Sequence, residues 1–249
     1  MTTATALPAI AAGTALPPAT TDTADSAVRP VVRPARPGEE DALARALADA
    51  FADDALMLWA FPDPGHRARV LPAFFRVQVE QCLAHGGALA VHRATGGDAG
   101  NDAGNGATDG EPLGALLFLP PGRWEDPGPR DGAATAALAE AIDSAGHGEP
   151  ARRLAAITRL QTLRHPRHRS HHYLAFVGVH PDARGTRAGQ ALLHAFLAEV
   201  DSAGQAAYAE TSSPAGARLL ASGGFTRFGG ALALPGGGPR LAPVWRGPR

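Results

Sequence analysis

Residues Tyr173 to Leu193 read YLAFVGVHPDARGTRAGQALL, and few folds accommodate that order: an apolar strand, a short polar turn, a glycine-containing corner and an amphipathic helix. A helix that begins among glycines and small side chains leaves several backbone N–H groups unpaired. These, together with the helix dipole, favour an anion at that end. The segment therefore reads as a strand-to-helix cradle for a phosphorylated cofactor.

Two common phosphate loops are excluded. A Walker loop ends in Gly-Lys-Ser/Thr, whereas the chain has no lysine and its 23 basic side chains are all arginine. A Rossmann fingerprint needs Gly-x-Gly-x-x-Gly in an early βαβ unit. Here the strand lies two-thirds of the way along and an arginine opens the corner.

Of the 249 residues, the first 27 are mostly Ala, Thr and Pro without periodicity, and are expected to be disordered. Residues 28–249 then form a single domain of ordinary size. The N-terminus lacks a positive region, and Pro8, Pro17 and Pro18 interrupt its apolar runs. No signal peptide or spanning helix is expected, and the cytoplasm is the expected compartment. The single cysteine, Cys82, excludes an internal disulfide and fits a reducing compartment as a buried small hydrophobe. A formal net charge of -1 gives no basic footprint for nucleic acid.

Val31 to Arg36 reads as the first strand and Glu39 to Phe51 as a helix with Leu43, Ala46, Leu47 and Ala50 on one face. The segment Ala50 to Asp63 breaks that period and offers Met57, Trp59 and Phe61 either as a pocket wall or as a cap on the core. His66 to His85 reads as a second helix with Pro72 in its first turns. Ala88 to Arg93 and Leu113 to Leu119 read as paired strands around an insert at 94–112, rich in Gly, Asn and Asp, that is expected to be a flexible hairpin tip. Helices follow at Ala133 to Ala145 and Ala151 to Leu163. Beyond the cradle come a strand at Ala206 to Ser212, a helix at Pro214 to Ala221 and a terminal hairpin from Phe225 to Leu234 with Leu241 to Trp245.

Arg184 and Gly189 fit the Arg/Gln-x-x-Gly-x-Gly/Ala corner of the GNAT acyl-CoA transferases, which this segment resembles. Arg187 stands where that family has its central glycine. FADDALMLWAFPD, HHYLAFVGVHPDARG and AAYAETSSPAGARLLASGGF extend the likeness over roughly residues 31 to 246. With Glu210-Thr211-Ser212 closing the fifth strand and Gly224-Phe225 after the next helix, they resemble the branch that includes puromycin N-acetyltransferase. The resemblance implies an α/β (α+β) fold: a GNAT-like mixed, mostly antiparallel twisted sheet of six to seven strands flanked by helices on both faces.

It also implies acetyl-CoA as co-substrate, with no metal, and a small-molecule amine as acceptor, in the range of antibiotics or other secondary metabolites. A monomer or homodimer is expected. The fourth strand would offer its backbone at Phe176, Val177, Gly178 and Val179 to the pantetheine arm. The N–H groups of Arg184, Gly185, Thr186, Arg187, Ala188 and Gly189 would hold the pyrophosphate. The acceptor would enter between the Asp53 to Asp63 loop and the fifth strand.

Glu210 is the candidate base, sharing a strand face with Tyr208; the alternatives are that it binds the substrate ammonium or closes a structural hydrogen bond. Tyr208 either polarises the pocket or packs. Counting back from Phe225 places Leu220 where the family carries a tyrosine that protonates the leaving thiolate. Arg187 either clashes with the pyrophosphate or folds its guanidinium onto it. His165, His168, His171 and His172 invite a metal reading. They lack an acidic or cysteine partner nearby, so no metal is expected, and His171 or His172 is a secondary candidate base.

Overall fold

In the second strand, Ala88 and Ala90 join one apolar layer while Leu89 and Val91 join another, which is the period-two signature of a sheet covered on both faces. The structure is a computed structural model that describes residues 30–94, 110–124, 132–144 and 148–249. The expected disordered N-terminus, and residues 95–109 of the expected insert, lie outside the described residues.

In chain order the elements are β1 (Pro30–Pro34), α1 (Glu40–Phe51), α2 (Ala55–Ala60), α3 (Pro64–Ala84), β2 (Ala88–Arg93), β3 (Gly114–Leu119), α4 (Gly132–Asp143), α5 (Glu149–Arg164), β4 (His171–Val179), a 3₁₀ turn (Pro181–Ala183), α6 (Ala188–Ser202), β5 (Ala206–Thr211), α7 (Pro214–Ser222), β6 (Thr226–Arg227), β7 (Leu232–Ala233) and β8 (Arg240–Arg246). The sheet runs β1-β2-β3-β4-β5-β8-β6, with β7 also on β8. Every pairing is antiparallel except β4 with β5. Six strands are of ordinary length and two have only two residues each.

Helices α1 to α5 cover one face and α6 and α7 the other. On the first face Phe51, Phe74, Phe75 and Phe176 interlock, with the Phe75 and Phe176 centroids 5.2 Å apart and edge-on. Each such pair contributes about 0.5–1.5 kcal/mol beyond its area, so α1, α3 and β4 are fixed at one junction. On the other face Phe196, Leu192 and Leu193 of α6 are fully buried against Leu116 and Phe118.

Three sequence expectations change. Ala50 to Asp63 contains α2, capped when the Asp54 carboxylate accepts from the Leu56 N–H at 2.9 Å. Met57 and Phe61 are buried there, Phe61 in the core and Met57 both in the core and on the wall of a cavity, while Leu58 is exposed. The second helix starts at Pro64, where the Asp63 carboxylate accepts from the His66 N–H, so Pro72 lies inside α3 rather than in its first turns. The terminal hairpin is broken into β6 and β7, both pairing with β8.

Candidate functional site

The site begins where β4 and β5 part. They pair in parallel over His171–Leu174 against Ala206–Ala209, four residues only. Opposite Ala175, the β3 partner shifts register between Leu117 and Phe118, a bulge that bends β4. From Ala175 to Val179, β4 keeps its antiparallel contact with β3 from Phe176 onward but has no β5 partner. Its backbone is therefore open on that edge, and Val177, Gly178 and Val179 are half-buried where β3 is fully buried.

The corner that follows is more selective than its sequence suggested. The Arg184 N–H donates to Pro181 O at 3.1 Å and the Thr186 N–H to Ala183 O at 3.3 Å. The Thr186 hydroxyl donates to the same carbonyl at 2.6 Å. Those two amides are thus spent on the turn. The first amide to enter the α6 ladder is Ala191, on Arg187 O. Among the described residues, the N–H groups of Gly185, Arg187, Ala188, Gly189 and Gln190 have no protein acceptor, and they form the positive end of a 15-residue helix.

Gly185 takes φ +84° and Arg187 φ +64°, and Arg187 is the sole non-glycine residue with positive φ among those described. Arginine has thus kept the backbone shape that glycine supplies freely, at a cost of roughly 1–2 kcal/mol. Its side chain is exposed at the helix start and has no ion pair among the described residues.

Leu220 is 3% exposed and packs beneath α6. Its neighbour Leu219 flanks the cleft: a Cβ added at Gly189 would lie 3.7 Å from Leu219 Cδ2 and 4.0 Å from Val179 Cγ1. Neither leucine has a proton to donate.

On the other face, a cavity of about 570 Å³ is bounded by α2, α3, α5, β4 and β5. Glu210 stands on its wall. Tyr208 OH donates to Glu210 Oε1 at 2.8 Å and Tyr173 OH to Oε2 at 2.9 Å. These are the chain's two tyrosines, and their Cα atoms are partners in the β4–β5 register. Gln161 Nε2 approaches Tyr173 OH at 3.4 Å. Burial raises the Glu210 carboxyl above the usual carboxylate range, and the hydrogen bonds from Tyr208, Tyr173 and Gln161 only partly counter it. Desolvation and the adjacent carboxylate raise both phenols, so they stay protonated donors. No arginine or histidine among the described residues pairs with Glu210.

Tyr173 and Gln161 were missed as site residues. No local sequence signal marks them; the parallel β4–β5 register is what sets Tyr173 beside Tyr208.

The histidines divide. His165 and His171 are both buried, with their Nε2 atoms 3.0 Å apart, and His171 Nδ1 is 2.7 Å from Arg169 O. His165 stacks on Trp124 at 3.9 Å and faces the cavity. Burial, then His171 and Arg167, push its pKa down to about 3. His168 is exposed. His172 packs against Phe118 and Phe196 on the opposite face. No group of three or more metal-ligating side chains occurs among the described residues. Neither His171 nor His172 reaches the cavity that holds Glu210, so as secondary bases they are displaced from it.

No protein-family model matches the chain, and no curated protein does. Solved structures do. A histone acetyltransferase HPA2 and related acetyltransferase from Corynebacterium glutamicum is 24% identical with TM-score 0.58, covering 88% of this chain and 97% of that one. A polyamine N-acetyltransferase of Drosophila melanogaster is 15% identical with TM-score 0.52, over 88% and 100%. Arylalkylamine N-acetyltransferase 2 from Aedes aegypti is 13% identical with TM-score 0.53, over 87% and 98%. At such identities the likeness is one of fold: the chain has the mixed α/β GNAT fold. No helix among the described residues is long and apolar enough to cross a membrane.

Proposed function

We propose that the chain is an acetyl-CoA-dependent N-acetyltransferase that acetylates an amine of a small molecule by direct attack in a ternary complex. The observation that carries this reading is Glu210, a carboxyl with raised proton affinity held by two phenols at the point where β4 leaves β5. The fold shared with N-acetyltransferases supports it; that likeness alone does not choose a substrate.

The open edge of β4 at Val177, Gly178 and Val179 fits a pantetheine amide chain. The free N–H groups of Gly185, Arg187, Ala188 and Gly189 fit a pyrophosphate, with the Arg184 and Thr186 amides holding the turn in shape. The exposed Arg187 guanidinium fits the same anion as a charged fork. Acetyl-CoA would supply the thioester; the amine nitrogen bonds to its carbonyl carbon as the C–S bond breaks.

Glu210 takes the amine proton, and burial raises its proton affinity in the direction that a general base needs. An N–H of the unpaired β4 stretch would meet the carbonyl oxygen. With leucine at both Leu219 and Leu220, the thiolate leaves unassisted by the protein and takes its proton from solvent. We further place the chain in the branch resembling puromycin N-acetyltransferase, on Glu210-Thr211-Ser212 and Gly224-Phe225, and in the cytoplasm, on its single buried cysteine.

Leu219, Leu220 and the strained Arg187 favour a second reading, a degenerate domain that binds acyl-CoA without efficient turnover. Mass spectrometry of the full chain with acetyl-CoA and an amine panel, including puromycin and an aminoglycoside, separates the two. Acetylated product is expected. A CoA-dependent thermal shift without product would select the degenerate domain, and neither signal would overturn both.

A further inference from the structure

The cavity's inventory of charge and shape restricts what fits in it. Its two anionic residues are Glu210 and Asp54, and no arginine lines it. Asp54 is already committed, with Oδ1 accepting from the Leu56 N–H and Oδ2 from the Ser212 hydroxyl at 2.6 Å. Glu210 accepts only from neutral partners. Neither carboxylate has a counter-ion among the described residues, and Glu210, held by side-chain phenols rather than by a helix backbone, is the one free to take a cation. His165 stays neutral and does not supply it.

The remaining wall is uncharged, mixing apolar and aromatic side chains with polar ones such as Gln81, Thr158 and Thr162. Phe74, Phe176 and Trp124 face the cavity together with Met57, Ile157 and Leu154. Its volume lies in the range of about 300–1,000 Å³ that takes a drug-sized molecule. Gln78, on α3, brings a half-buried carboxamide into it and has no hydrogen bond to another described residue. A second ammonium group would find only Asp54, which already caps α2, and a third would meet uncharged side chains alone.

Resting on the transferase reading, we infer that the acceptor is an amine carrying a single positive charge on an aromatic or bulky apolar body, its ammonium on Glu210 and an uncharged polar group on Gln78. This chemistry excludes polyamines and aminoglycosides as preferred acceptors.

The test titrates the full chain calorimetrically, with and without CoA, against 4-phenylbutylamine, 4-phenylbutan-1-ol, spermidine and kanamycin. Each amine is also incubated with acetyl-CoA and followed by mass spectrometry. The phenylalkylamine is expected to bind at least tenfold more tightly than its alcohol, spermidine or kanamycin. Glu210→Gln should remove that tenfold preference over the alcohol, and Gln78→Trp, which fills the cavity from α3, should abolish binding of both phenyl compounds while the heat of CoA binding persists. Tighter binding of spermidine or kanamycin, or phenylalkylamine affinity unchanged in both variants, would overturn the inference, and any acetylation seen would leave the transferase reading standing. Glu210-dependent binding of the phenylalkylamine without acetylation would do the reverse. No binding of any amine probe, with or without CoA, overturns the inference as well.

Discussion

With the proposed role as base, Glu210 would couple function and stability in opposite senses. Burial raises its pKa in the folded chain, so the favourable contribution of the protonated form is present below the unfolded value, near 4.3 for a free glutamate. That contribution is lost as pH rises through the folded value. Glu210→Gln should therefore unfold at a higher temperature than wild type at neutral pH, with the gap closing toward pH 4, while kcat falls by about 100-fold or more. A stability gap that does not vary with pH would contradict the burial argument. Tyr173→Phe and Tyr208→Phe each remove a donor that holds the carboxyl down, so the acid limb of the kcat/KM profile should move to higher pH in both. An unmoved limb would mean that another group titrates there. At the corner, Arg187→Gly relieves a positive φ and should stabilise the chain by about 1 kcal/mol. It should also weaken CoA binding in a calorimetric titration if the guanidinium meets the pyrophosphate. Unchanged or tighter binding would remove that role.

Among the elements, β4 depends on close approach. A Cβ at Gly178 would stand 2.8 Å from Phe51 Cε2 and 2.9 Å from Ala50 Cβ, so Gly178→Ala forces α1 off the strand where its backbone is open. A loss of about 1–3 kcal/mol in denaturant unfolding is expected, the usual cost of overpacking, together with weaker CoA binding; wild-type stability would mean that α1 yields freely. Period and breakers made most of these elements legible in the sequence, and the order strand, corner, helix called for a helix after the corner, where α6 begins at Ala188. Contacts set by pairing were not legible. The bulge opposite Ala175 leaves no local mark, and it decides where β4 opens. Tyr173 looks like any half-buried strand residue until the parallel register sets it beside Tyr208. Pro72 was misplaced because Asp63 caps α3 earlier than the apolar pattern begins. Counting back from Gly-Phe found Leu220, yet the helical turn of α7 points Leu219 rather than Leu220 toward Gly189.

At the scale of the molecule, the sheet is a partition with α6 and its free amides on one face, the aromatic cavity on the other, and the parting of β4 from β5 as the passage between them. On the proposed function, two substrates would approach from opposite faces and meet at Glu210 without either having to leave first. The side chain best suited to carry an acyl group, Cys82, is 2% exposed, and burial pushes its thiol up to about 12, which leaves almost no thiolate near neutral pH. A covalent acetyl-protein stage therefore has no competent nucleophile there, and transfer should be sequential. Initial rates measured over a grid of acetyl-CoA and amine concentrations should give intersecting double-reciprocal lines, and intact-mass spectra of the protein with acetyl-CoA alone should show no acetylated chain. Parallel lines together with an acetylated Cys82 peptide would replace direct attack with a two-stage transfer and move the chemistry from Glu210 to α3.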